Sequence, residues 1–223
     1  QGISSGIWNS GTSTMSGTTK IKATGIGGEV TSTSANARGD GTAYGIRNTN
    51  IVNATSSSTT QIDVTGIGGK ETEAGEKIKG DGIVYGIFSL YETGITTMDG
   101  DLTIMTHTGL TTDSDFTGGT TKAYALYAAD GGQILVNQAG GKTIQLTGDL
   151  ATEYSSMYSS IIKAKLDNSQ SFLTGLVDNT GGTIDLDFSN GGSWRPTGDG
   201  GIGSNFGTVG TGLSLGSGGV LDM

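Results

Sequence analysis

The chain has 223 residues, of which 42 are Gly, one is Pro and none is Cys, and its net charge is −9. Without Cys there is no disulfide framework and no thiol chemistry. The acidic balance excludes nucleic acid, which is bound by basic patches, and an anionic membrane surface.

The sequence begins at Gln1, not Met, with no leader-like segment, and ends at Leu221-Asp222-Met223 directly after a strand pattern. It is expected to be a mature product or a cut piece. Residues 1–18 are expected to form an N-terminal cap, although Gly6-Ile7 already stands 39 positions before the similar Gly45-Ile46. Ile21-Lys22-Ala23 is the first strand, alternating apolar and polar as a half-buried strand does. Thr24-Gly25-Ile26-Gly27-Gly28 follows, and returns 41 positions later as Thr65-Gly66-Ile67-Gly68-Gly69. Gly39-Asp40-Gly41 with Tyr44-Gly45-Ile46 returns, also 41 on, as Gly80-Asp81-Gly82 with Tyr85-Gly86-Ile87. Ile62-Asp63-Val64, Leu102-Thr103-Ile104, Ile134-Leu135-Val136 and Ile144-Gln145-Leu146 continue the strand series, and Tyr124-Ala125-Leu126 continues the aromatic one. From Tyr154 to Leu166 the apolar spacing also fits a helical face. A strand from Ser160 to Leu166 keeps the repeat in register and is preferred. Ile184 to Phe188 and the segment around Trp194 are the last strands before an insert at 195–207 and a closing strand pattern.

A recurrence of this size indicates stacked units that cannot bury a core alone. The two series interleave, with Ile21, Ile46, Ile62, Ile87 and Ile104 about twenty residues apart. The expectation is an all-β, right-handed parallel β-helix (β-solenoid) with coils of about twenty residues, forming one domain over 1–223. At ~4.8 Å between stacked strands, about ten such coils would extend on the order of 50 Å. Function in such a rod lies along a surface.

The Ala43-Tyr44-Gly45-Ile46-Arg47-Asn48 text, the Thr-rich strands and the closing pattern resemble passenger domains of Gram-negative autotransporter adhesins, pertactin-like in fold. The closing pattern is Asn179-Thr180-Gly181-Gly182-Thr183-Ile184-Asp185-Leu186, then Gly192-Ser193-Trp194, then the run from Val209 to Leu221. The resemblance covers about 19–223. The insert after the Trp strand departs from the pattern, and no membrane barrel is present in the sequence. The resemblance implies an exported cell-surface segment, held at the outer membrane by a C-terminal domain outside this sequence. It also implies a role in attachment to host cells or other bacteria.

Several constellations suggest chemistry. Arg38-Gly39-Asp40 spells the tripeptide read by integrins, and Gly39-Asp40-Gly41 also reads as a corner turn, as Gly80-Asp81-Gly82 does one unit on with Lys79 before it. Asp185/Asp187 and Asp113/Asp115 place two carboxylates on one strand face, as polysaccharide-acting β-helix enzymes do. They equally read as solvated strand faces, because no adjacent Asp pair accompanies them and His107 has no evident partner. Gly200 to Asn205 is similar to one copy of a calcium-binding nonapeptide, a site that needs successive copies. Asn53-Ala54-Thr55 is a glycosylation sequon. Trp8, Trp194 and the tyrosines could stack on sugars. Trp194 reads as core. Tyr44, Tyr85 and Tyr124 read as a ladder on the same inner face as Ile46, Ile87 and Leu126, which is preferred, or as an exposed stripe for ligands. Sustained Thr-x-Thr arrays of an ice-binding kind are not present.

No nucleophile–base–orienter set is legible, so no enzyme, metal or cofactor is expected. The best candidates for recognition are loops leaving a rigid scaffold: Ser32 to Asp40, Glu71 to Asp81, Thr111 to Thr121 and Arg195 to Gly207. Glu71, Glu73, Glu76, Asp113 and Asp115 make two of them acidic, suited to a basic patch on a partner. The partner expected is a host surface protein, matrix or glycan, or another bacterial adhesin, self-association included. The rival classes are a polysaccharide-acting enzyme and a non-binding surface-layer stalk.

Overall fold

The computed structural model describes residues 1–32, 39–73, 75–153, 157–197 and 211–222, and these contain strands and no helix. The first coil is β1 (Gly2–Asn9), β2 (Thr12–Met15) and β3 (Thr18–Ile26), followed by the excursion β4 (Glu29–Ser32). The second is β5 (Gly41–Asn48), β6 (Ile51–Ala54) and β7 (Thr59–Gly68), followed by β8 (Lys70–Glu73) and β9 (Glu76–Lys79). The third is β10 (Gly82–Leu90), β11 (Ile95–Met98) and β12 (Asp101–Leu110). The fourth is β13 (Thr121–Ala129), β14 (Gln133–Val136) and β15 (Ile144–Thr147). The fifth is β16 (Asp149–Thr152), β17 (Ser160–Leu166) and β18 (Phe172–Thr174), and the sixth is β19 (Val177–Asn179), β20 (Gly182–Phe188) and β21 (Ser193–Arg195). Strands β22 (Thr211–Leu215) and β23 (Val220–Leu221) add to the last coil.

Like strands stack in parallel into three sheets. Sheet A is β1-β5-β10-β13-β16-β19, sheet B is β2-β6-β11-β14-β17-β20-β22, and sheet C is β3-β7-β12-β15-β18-β21-β23. The chain is therefore a parallel β-helix. Apolar residues stack rung on rung inside. Sheet C contributes Ile21, Ile62, Ile104, Leu146, Leu173 and Trp194. Sheet A contributes Ile7, Ile46, Ile87, Leu126, Leu150 and Val177. Each fully buried Ile or Leu contributes about 1.5–3 kcal/mol. Only the stack brings enough of them together for one coil to be stable.

The coil length differs from the expected twenty. Gly2 pairs with Gly41, Gly41 with Gly82, and Gly82 with Thr121, so one whole 41-residue unit is a single coil in this half. Ile21 and Ile46 belong to different sheets of neighbouring coils. In the later coils the step shortens: Leu150 pairs with Val177, and Phe172 with Ser193. The difference lies in the connection from sheet C back to sheet A. It holds the excursions after β3, β7 and β12, but only Gly148 between β15 and β16.

The repeated glycines follow from close backbone approach at that corner. A Cβ on Gly27 would lie 1.7 Å from the Gly39 carbonyl oxygen, and one on Gly69 would lie 2.2 Å from that of Gly27. Polar residues stack where the chain turns from sheet A into sheet B. Asn9 Nδ2 donates to Asn48 Oδ1 at 2.8 Å, and Asn48 Nδ2 donates to Thr96 Oγ1 at 3.0 Å. Strands β1 and β2, within the segment expected as a cap, pair in register with β5 and β6 of the second coil. The segment from Ser160 to Leu166 is a strand, as its register required.

Candidate functional site

Two surfaces stand out from the regular skin. The first is the outer face of sheet A. In β5 the side chains run Ala43 in, Tyr44 out, Gly45 and Ile46 both in, Arg47 out. The same order recurs in β10 and β13, and the pairing skips the extra inward residue at Gly45, Gly86 and Ala125. This irregularity turns Tyr44, Tyr85 and Tyr124 outward, and it gives the outer face a second row three residues on: Arg47, Phe88 and Tyr127.

The tyrosines therefore form a ladder, but on the outside, which corrects the expected inner placement. Tyr44 and Tyr85 stack at 5.0 Å with planes 7° apart, and Tyr85 and Tyr124 at 5.3 Å and 14°. Phe88 stacks against Tyr85 at 5.1 Å, and Tyr127 meets Tyr85 edge-on at the same distance. All five rings are half-buried. The Arg47 guanidinium lies 4.6 Å over Trp8 and 5.4 Å over Tyr44. Tyr127 donates its hydroxyl to Glu153. Burial pushes the Tyr85 and Tyr127 phenols well above the ordinary range, and the Glu153 carboxylate raises Tyr127 further. Burial likewise raises Asp149, opposed by a 2.8 Å hydrogen bond from the Leu176 N–H and supported by the nearby Asp178 charge.

The second surface is a shelf at the corner between sheets C and A. Strand β4 pairs parallel with β8, β8 pairs antiparallel with β9, and β9 meets Thr117 through a bridge at Ile78. The loops at 71–81 and 111–121 are thus brought together, and Glu71, Asp113 and Asp115 are already engaged. Lys70 Nζ lies 2.7 Å from Asp113 Oδ2, and Lys77 Nζ lies 3.2 Å from Asp115 Oδ2. Both ammonium groups also flank the buried Phe116 ring. The Lys70 hydrogen bond holds the Asp113 carboxyl below its ordinary range, and Asp113 in turn raises Lys70. Glu71 is buried and accepts from the Gly39 N–H at 3.3 Å. Glu76 is exposed, and the side chain of Glu73 lies outside the described residues.

The integrin-like tripeptide does not present its carboxylate. Asp40 is 7% exposed; its Oδ1 accepts from the Asp81 N–H at 3.0 Å and its Oδ2 from Gln1 Nε2 at 3.2 Å. One coil on, Asp81 Oδ1 accepts from the Thr120 N–H at 2.7 Å. Gly39-Asp40-Gly41 is thus a corner whose carboxylate ties one coil to the next. Arg38, the nonapeptide-like run from Gly200 to Asn205, and positions 198–207 of the insert lie outside the described residues.

The remaining candidates are dispersed. Asp185 lies 3.1 Å from Lys163, and Asp187 stands in register with Lys165, so a lysine row faces each carboxylate across the strand. His107 is largely exposed, 3.6 Å from Asp63. Trp194 is fully buried, stacks on Phe188 at 6.2 Å and donates Nε1–H to the Gly175 carbonyl at 2.9 Å, as its core reading required. Among the described residues no group of three His, Asp or Glu side chains is placed to hold a metal ion, and no helix is long and apolar enough to cross a membrane.

Sequence reasoning preferred the inner ladder to the exposed stripe that the structure shows, and it missed the pairing of Arg47, Phe88 and Tyr127 with the tyrosines. The available signal was a small residue at one place in successive strands: Gly6, Gly45, Gly86 and Ala125. No family model, curated protein or solved structure matches the chain.

Proposed function

We propose that this chain is part of a bacterial cell-surface adhesin, a β-helical rod that attaches a cell to a host surface or to another bacterium. Anchorage would be supplied by an outer-membrane domain beyond this sequence. The observation that carries this reading is the aromatic outer face of sheet A, with Tyr44, Tyr85, Phe88, Tyr124 and Tyr127 half-exposed on a rigid scaffold. Aromatic residues and Arg are the side chains that dominate protein interfaces. The stacking braces the coils, and the ring edges and Arg47 left at the surface are what a passive stalk would not need. The reading as a binding protein, not an enzyme, is supported by the lysines beside Asp185, Asp113 and Asp115, which hold these carboxylates as ion pairs.

The test is attachment of beads coated with the whole chain to host cells, matrix proteins, immobilised glycans and beads carrying the same chain. Retention above uncoated beads on at least one surface is expected. Retention on none would leave the stalk as the better account. Release of sugar products from a glycan, abolished by Asp187→Asn, would make the chain an enzyme.

A further inference from the structure

The stacked tyrosines cover one another's faces, because their planes lie 7° and 14° from parallel along the stack. What they turn outward is ring edges and hydroxyls. A sugar ring stacks on an open aromatic face, so this surface is poorly suited to it. It suits another surface of edges and faces, which aromatic pairs prefer.

Most of the charges beside the aromatic rows differ between the two ends of the face, with Lys122 on β13 as a further cation and Asp178 on β19 as a further carboxylate. Arg47 lies on the second coil, and Asp149 and Glu153 lie on or beside β16 of the fifth. Arg47 makes no ion pair among the described residues, and its Nε is buried without an acceptor. A two-fold axis lying in the contact plane, parallel to the strands and midway between β10 and β13, exchanges the third coil with the fourth and the second with the fifth. Aromatic rows then meet aromatic rows. Arg47 of each copy comes opposite the rung that carries Asp149 and Glu153 of the other. A parallel arrangement would instead oppose Arg47 to Arg47. The six strands of this face hold 8, 8, 9, 9, 4 and 3 residues. At ~3.3 Å per residue and ~4.8 Å between rungs they give a face of roughly 650 Å². That is about four-fifths of the ~800 Å² per partner of a stable interface.

We propose that the outer face of sheet A is a homotypic interface, on which two copies of this chain pack antiparallel. This deepens the adhesin reading by naming the partner: a second copy, carried by another cell or by the same one. The two-fold makes the contact isologous, so it closes as a dimer and does not propagate.

Sedimentation of the whole chain over a concentration series tests it. The wild type is expected to dimerise as concentration rises, and to do so less at high salt. Arg47→Glu and Glu153→Lys should each weaken self-association about 100-fold, because each places like charges together twice. An equimolar mixture of the two should recover the dimer. In the mixed pair the two reversed charges face each other at one contact, and the unaltered Arg47 and Glu153 face each other at the second. Circular dichroism checks that the variants fold; if either does not, the concentration and salt dependence of the wild type decides. A wild type that stays monomeric throughout, dimers that survive both variants, or no recovery in the mixture would overturn the proposal. Monomers on beads that still hold matrix or glycan would overturn it and leave the adhesin reading standing. Dimers on beads that hold no surface would do the reverse.

Discussion

Tyr44 and Tyr85 stack at 5.0 Å, one coil apart, on the outside of the β-helix and not in its core. The contact joins consecutive coils from the solvent side, parallel to the joining of Ile46 and Ile87 within. The rod is thus clamped between two ladders along sheet A, one buried and one half-exposed.

Tyr85 is the centre of the outer ladder, in contact with Tyr44, Phe88, Tyr124 and Tyr127. Each such aromatic pair is worth about 0.5–1.5 kcal/mol beyond burial. Tyr85→Ala is expected to lower unfolding stability by about 2–3 kcal/mol in denaturant titration. A loss below about 0.5 kcal/mol would show that the ladder decorates the coil without holding it.

Gly45 is the extra inward residue that sets the outward turn of Tyr44. A Cβ there would lie 2.3 Å from Ile62 Cγ2 and 2.5 Å from the Gly86 carbonyl oxygen. Gly45→Ala should therefore cost about 1–3 kcal/mol through overpacking against backbone. Gly11→Ala, where the new Cβ meets nothing within 4 Å, should be neutral or slightly stabilising through the unfolded state. Equal effects at the two sites in thermal melts would contradict this placement of Gly45.

Tyr44, Tyr85, Tyr124 and Tyr127 all have phenols raised by burial. A raised folded pKa means that the native state keeps the proton which the unfolded chain releases. The stability from these neutral phenols is complete below the ordinary phenol value of about 10.0 and is lost as pH climbs above it. In an alkaline titration, these four of the seven tyrosines should remain neutral until the fold itself gives way. Smooth ionisation of all seven in a still-folded chain would be inconsistent with a buried ladder.

The shelf is held by ion pairs on its surface, and they should act locally. The Asp113 carboxyl is lowered by Lys70, so its contribution is present above the ordinary carboxylate value of 3.8 and is lost as pH falls below it. Asp113→Asn should speed hydrogen exchange at the Lys79 and Thr117 amides, which bond to the Thr117 and Lys77 carbonyls, and leave the global melting temperature unchanged. A cooperative loss of the whole fold would mean that the shelf is part of the core.

The strands, their parallel stacking and the Trp194 core position were legible because a period of 41 and an apolar–polar alternation are local properties of the text. Two readings failed for physical reasons. Tyr44 and Ile46 are two apart and so were expected on one face, but Gly45 takes an extra inward position and breaks that parity. Ile21 and Ile46 look like successive rungs because both are strand centres, yet one is on sheet C and the other on sheet A. Which strands stack is decided by the closed circuit of three sheets, a relation that spacing alone does not contain. The neutralisation of Asp113 by Lys70 was equally hidden, because the two meet only when the excursions of adjacent coils pack side by side.

The claim that binding resides on the outer face of sheet A is tested most directly by bead attachment with two charge reversals. Beads coated with wild type, Arg47→Glu or Lys77→Glu would be compared on the surface that retains wild type best. Retention of Arg47→Glu should fall about tenfold, and Lys77→Glu on the shelf should match wild type. Undiminished retention of Arg47→Glu together with loss for Lys77→Glu would move the binding surface to the shelf and contradict the account.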